Sequence, residues 1–160
     1  MEDISPEEGQ KILDRARKTM RDIKNIPGHH YGMDRSDPFQ TDCTLFNAIA
    51  LQDVVGEKGE QLSSRQYDGN CQFRRLKPGE APQAGDALAQ PRSSGPPGSQ
   101  HTGIATGSRS GGGGYTGVQM GNSGASEGSV WGEPMGKGAG WFEGGFNLHV
   151  YRPQKPCKKK

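Results

Sequence analysis

Apolar and polar positions along this chain follow two different periods. In the first part, Ile12, Leu13, Ala16, Met20 and Ile23 recur at helical spacing, which marks one face of an amphipathic helix. Ser5-Pro6-Glu7-Glu8 reads as its start. Ser5 suits the cap, Pro6 the first helical position, and Glu8 completes a capping box. The pattern predicts a helix to about Lys24 with a solvated Lys- and Arg-rich face, ended by Pro27-Gly28. A second helix is predicted over 42–54. Its apolar positions 45, 46, 48, 49, 50, 51, 54 and 55 run nearly all round, so other elements should wrap it, and Gly56 is its expected stop.

Beyond Gly56 the period shortens. Residues 57–80 are polar, and 65–76 fits either a helix broken at Asp68-Gly69-Asn70 or a hairpin turning at Asp68-Gly69. Short strands are predicted at Asp86–Gln90, Thr102–Thr106, Tyr115–Met120 and Phe146–Tyr151. In the last, Phe146, Leu148 and Val150 alternate with Asn147, His149 and Tyr151, as in a half-buried strand. Pro91–Gln100 and Ser108–Gly114 read as flexible loops, and Gly111–Gly114 lacks the Lys-Ser/Thr ending of a phosphate loop. The glycine-rich stretch 121–145 carries Trp131, Trp141 and Phe142, which fit a core or lid better than a glycan- or peptide-binding cleft. Helices first and strands after give an α+β domain with an antiparallel sheet.

Composition narrows the class. At 160 residues the chain is read as one domain, with a leading helix in 1–30, a core in 31–151 and a basic tail in 152–160 that includes Lys155 and Lys158–Lys160. Glycine is abundant, 26 residues, so loops should be many. A net charge of +2 is too weak to imply nucleic acid. No stretch approaches the roughly 20 apolar residues of a membrane span. The acidic start, Met1-Glu2-Asp3-Ile4, has no apolar segment of the kind a Sec signal peptide needs. Cys43, Cys71 and Cys157 leave at least one free thiol, with a Cys71–Cys157 disulfide expected if the protein works outside the cytosol. There is no CxxC, and His29-His30 has no acidic or cysteine partner at ligand spacing, so neither metal nor cofactor is expected.

The chemistry concentrates at two positions. Cys43 opens the second predicted helix, where backbone N–H groups and the positive end of the helix dipole favour a thiolate. His101 opens a predicted strand and is the candidate general base. The same helix N-terminus would supply donors for an oxyanion.

Asp42-Cys43-Thr44-Leu45-Phe46, then Gln83-Ala84-Gly85-Asp86, then His101-Thr102-Gly103-Ile104 with Gly107 after it, resembles the NlpC- and CHAP-type papain-like cysteine peptidases and amidases of peptidoglycan. In those the order is Asp-Cys-Ser-Gly-Phe, Pro-Gly-Asp and His-Val-Gly-Ile. The resemblance covers about residues 31–121. It implies a papain-like fold, with the nucleophile on a buried helix packed against a small antiparallel sheet. It also implies that Cys43 and His101 are catalytic, and that Tyr31 lines the substrate cleft. For Asp42 it implies a contact with a substrate amine, beside the simpler role of stabilising the helix N-terminus. Thr44-Leu45 departs from Ser-Gly, so packing and substrate contacts beside the nucleophile should differ. The third polar residue, which orients the histidine, falls at or near Met120, with Gln119, Asn122 or a backbone carbonyl as the candidates.

Size, the absence of a Sec leader and the leading helix resemble the amidase effectors of type VI secretion; a domain released from a longer toxin would look alike. Three functions follow, in order of preference. The first is a cysteine amidase or endopeptidase cutting peptidoglycan stem peptides. It would be a monomer made in the cytoplasm and exported by a specialised system to a target cell's periplasm or wall. Its partners would be a component of the secretion apparatus and an immunity protein. The second is a cysteine protease, deamidase or acyltransferase acting on a cytosolic protein. The third is a non-enzymatic module binding glycan or RNA.

Overall fold

The computed structural model describes residues 2–32, 34, 36–56, 67, 70–77, 80–90, 101–109, 115–121, 124–131 and 148–155. In chain order the elements are β1 (Glu2–Asp3), α1 (Pro6–Lys24), β2 (His30–Tyr31), β3 (Gln40–Thr41), α2 (Cys43–Val55), β4 (Phe73–Arg75), β5 (Ala87–Gln90), β6 (His101–Arg109), β7 (Tyr115–Gly121), β8 (Gly124–Trp131) and β9 (His149–Lys155). The architecture is α+β. Seven strands form one sheet in the order β1-β9-β5-β6-β7-β8, with β4 also paired to β9, and every neighbouring pair is antiparallel. β2 and β3 make a separate parallel pair just ahead of α2.

Both helices form where their patterns place them. The capping box at α1 is present, with Ser5 Oγ accepting the Glu8 N–H at 3.2 Å and Glu8 Oε1 accepting the Ser5 N–H at 3.0 Å. α1 buries Gly9, Ile12, Leu13, Ala16, Thr19 and Ile23, and α2 buries Cys43, Phe46, Asn47, Ala48, Ala50 and Leu51. α2 ends at Gly56, in extended rather than left-handed conformation. The helices pack on each other and on one face of the sheet. Their apolar faces join Ala87, Ala89, Ile104, Val118, Met120, Ala125 and Tyr151 in the main core. α1 also closes on the loop before β5, where Gly9 and Gly85 touch. A Cβ on Gly85, whose φ is +91°, would lie 2.3 Å from the Gly9 carbonyl oxygen.

The strands depart from expectation in three places. First, β8 lies inside the glycine-rich stretch 121–145, for which no strand was expected. It pairs with β7 along its whole length, because ladder hydrogen bonds need only backbone, and Gly128 at φ 95° sits at the register shift that bends it. Second, β9 runs to Lys155, so 152–155 are strand rather than tail. Leu148 and Val150 pack with Leu88 and Ala105 on the sheet's second face, while Tyr151 enters the main core on the first. Both faces of β9 are therefore covered, which a half-buried reading misses. Third, in the described part of 65–76 the structure shows a strand, β4, paired with β9, where the helix alternative would have its second half. The Asp68-Gly69 turn, Pro91–Gln100, Gly111–Gly114, Phe146-Asn147, Trp141, Phe142 and the tail from residue 156 lie outside the described residues. None of the described helices is long and apolar enough to cross a membrane.

A buried ion pair ties β9 to β5. Arg152 donates from Nε and Nη2 to the two carboxylate oxygens of Asp86 at 3.0 and 2.8 Å, with side-chain exposures of 8% and 1%. Arg152 also lies 3.6 Å from Glu80, which binds Arg74, which in turn binds Asp3 of β1. Removing one member of such a pair leaves an uncompensated charge in the interior. Arg152→Met is therefore expected to lower stability by about 3–5 kcal/mol. An Asp86→Leu/Arg152→Met double variant should recover much of that loss. Denaturant melts of the two variants beside the parent check this, and a single variant as stable as the parent would show the pair to be dispensable.

Candidate active site

Cys43 is the first residue of α2 because Asp42 caps it. Asp42 is extended (φ −104°, ψ 179°), its Oδ1 accepts the Leu45 N–H at 2.8 Å, and its carbonyl accepts the Phe46 N–H at 3.0 Å. The N–H groups of Cys43 and Thr44 have no carbonyl four residues back within the helix and face its open end. The thiol is buried at 6% exposure and is a free cysteine. Cys71, by contrast, is disulfide-bonded; its expected partner, Cys157, lies outside the described residues.

Tyr31 is brought to the sulfur by the β2–β3 pairing, which sets it opposite Thr41, two residues ahead of Cys43. Its hydroxyl donates to Cys43 Sγ at 3.8 Å. Burial and the adjacent Cys43 push the tyrosine above its ordinary pKa, so it remains a donor at neutral pH. His29 supports this approach, its Nε2 lying 3.0 Å from Thr41 Oγ1. Burial pushes the His29 imidazole below its usual value.

His101 is the first residue of β6 and is 3% exposed. Its Nε2 lies 2.5 Å from Gln119 Oε1 on β7. An amide oxygen only accepts, so Nε2 carries the hydrogen and Nδ1 is the basic nitrogen of the ring. Burial pushes the imidazole down to about 4, against a smaller upward pull from Gln119, so it is neutral at pH 7. Of the candidates for an orienting partner, Gln119 is the one the fold sets against His101. The Met120 side chain faces the helices in the main core, and Asn122 lies outside the described residues.

Two hydrogen bonds join the start of β6 to the start of α2. Thr102 Oγ1 donates to the Cys43 carbonyl at 3.1 Å, and Asn47 Nδ2 donates to the Gly103 carbonyl at 2.9 Å. Thr102 and Ile104 thus face the helices, and alternation sends His101 off the strand on the Gln119 side. Cys43 and His101 flank this seam. Among the described residues, the hydrogen bond to Cys43 Sγ comes from Tyr31 rather than from His101. Asn47 also donates to Tyr67 Oη at 3.3 Å, and Tyr67 is stacked on Tyr151.

The structure therefore brings Tyr31, Asp42 and Cys43 together, whereas His101 adjoins them only along the chain, as the neighbour of Thr102, with its ring turned to Gln119. The geometry displays Asp42 as a helix cap. Asn47, Thr102 and Tyr67 escaped the sequence reading. One signal was available for Asn47, the polar residue buried within an otherwise apolar helix. No group of three or more His, Cys, Asp or Glu among the described residues is arranged to hold a metal ion.

Because the unfolded His101 titrates near 6.5 and the folded one near 4, acid loads a proton onto the unfolded chain first. Stability should fall as pH drops from 6.5 toward 4, with about 2–3 kcal/mol from this residue. Denaturant melts at pH 7 and 4.5 should show a shallower loss in His101→Gln than in the parent. Equal losses would place the acid sensitivity elsewhere, His29 included.

Comparison with protein-family models, with characterised proteins and with solved structures gave no match.

Proposed function

We propose that this chain is a papain-like cysteine amidase that hydrolyses amide bonds in peptidoglycan stem peptides. The observation that carries the reading is the placement of a free, Tyr31-bonded Cys43 on the first turn of α2, beside the strand that begins with a Gln119-oriented His101. In this mechanism His101 Nδ1 takes the thiol proton, and the thiolate attacks the substrate carbonyl. The Cys43 and Thr44 N–H groups hold the oxyanion. His101 returns its proton to the leaving amine, and water, activated by the same imidazole, releases the acyl group from sulfur. Gln119 keeps the ring in the tautomer that this exchange requires. On the resemblance, Tyr31 lines the cleft, and Asp42, already the helix cap, also contacts a substrate amine.

The resemblance to the NlpC and CHAP group supports the peptidoglycan target, and a disulfide at Cys71 favours an oxidising compartment over the reducing cytosol. Export to a rival's periplasm or wall, with a matching immunity protein, belongs to the same proposal. So does a secretion-apparatus partner.

Incubating purified protein with sacculi and analysing the released fragments by mass tests the proposal. The parent should release stem-peptide fragments, and Cys43→Ala none above background. His101→Ala should lose on the order of 100-fold or more in rate. A folded Cys43→Ala variant cutting at the parent rate would overturn the catalytic assignment. A folded, reduced parent that releases nothing would point instead to a protein substrate in the cytosol.

A further inference from the structure

The hydrogen bonds between α2 and β6 are built from residues whose chemistry is unneeded for packing. Thr102 is 1% exposed, and valine would fill the same volume and suit a strand equally well. The hydroxyl instead reaches out to the Cys43 carbonyl, an acceptor that already serves the helix ladder. Asn47 is 0% exposed in the middle of a helix whose other buried residues are Cys43, Phe46, Ala48, Ala50 and Leu51. Both its amide hydrogens are used, on Gly103 and Tyr67, while its buried Oδ1 has no hydrogen-bond partner among the described residues. A buried acceptor left unpaired is costly, so the amide is kept for what it donates to. One of its donors, like the Thr102 hydroxyl, spans the gap between α2 and β6.

That gap is the seam between nucleophile and base. One bond ends on Cys43 itself and starts from the neighbour of His101. The other starts one helical turn beyond Cys43 and ends two residues beyond His101. Together they fix both the sliding of β6 along α2 and its distance from the helix. We infer that Thr102 and Asn47 are positioning residues that hold His101 in register with Cys43. The inference rests on the amidase reading for its catalytic consequence, but the geometry of the seam does not depend on the substrate.

Thr102→Val removes one hydroxyl with no change in volume and leaves the Cys43 carbonyl its helical partner. The variant should fold, with kcat for stem-peptide hydrolysis lower by on the order of 10- to 100-fold and KM little changed, as for a small misplacement of a catalytic group. Thr102→Ser, which keeps the donor, should restore most of the rate. Asn47→Leu, which removes the orphaned oxygen as well as both donors, should behave like Thr102→Val.

The second readout needs no substrate. The rate of Cys43 alkylation by iodoacetamide, followed against pH, reports the surroundings of the thiol. Loosening the seam should change that profile in Thr102→Val and Asn47→Leu and leave it as in the parent in Thr102→Ser. A folded Thr102→Val with the parent's kcat and alkylation profile would overturn the inference, as would Thr102→Ser behaving like Thr102→Val. A parent inactive on stem peptides would overturn the amidase reading alone, since the alkylation profiles would still decide the role of the seam.

Discussion

The sheet depends on a contact between distant parts of the chain, the ion pair of Asp86 and Arg152. β9 is last in sequence, yet it lies inside the sheet, bonded to β5 and β4 and meeting β1 at its far end. Without it, β5 would be an open edge, and Tyr151 would be missing from the core that the helices cover. Arg152 reaches Asp86 at the foot of β5, and Asp86 in turn accepts the Gln83 N–H and gives its carbonyl to the Ala105 N–H. One residue therefore sets the entry to β5 and ties it to β9 through its carboxylate, and to β6 through its backbone carbonyl. Since β6 begins at His101, the geometry around Cys43 inherits its reference frame from this charge pair at the opposite end of the same strands.

Patterns that depend on neighbours in sequence were legible. The capping box, the apolar stripe of α1, the all-round apolarity of α2 and Asp42 at its start are local features, and each stands where the pattern put it. What misled was information carried by backbone or by partners far along the chain. β8 has too few side chains to show alternation, but its pairing with β7 requires none. Tyr151 counted as polar because of its hydroxyl, although most of its surface is ring, and the ring is buried against Tyr67. Pro153 and the lysines beyond it suggested a tail. Yet Pro153 still offers a carbonyl, and the Ile4 N–H bonds to it at 3.0 Å.

The site divides the same way. Cys43 on the first turn of a helix and His101 at the start of a strand stand where the sequence put them, because the starts of both elements are marked by local pattern. Gln119 was one of several neighbours for the orienting role, and only the register of β6 against β7 distinguishes it from Met120, whose side chain takes the other face. Thr102 gave no signal at all, since a threonine in a strand is ordinary. Its meaning lies in an oxygen of a residue far back in the chain.

The pairing of β1 with β9 brings Glu2 opposite Lys155 and Asp3 opposite Gln154. The two ends of the described fold thus leave it side by side, at the edge farthest along the sheet from β8. A domain of that shape can be spliced into a surface loop of another protein without stretching either, because entry and exit coincide. It can equally be rejoined end to end and opened at a different loop, provided the new break spares the strands that flank Asp86 and Arg152.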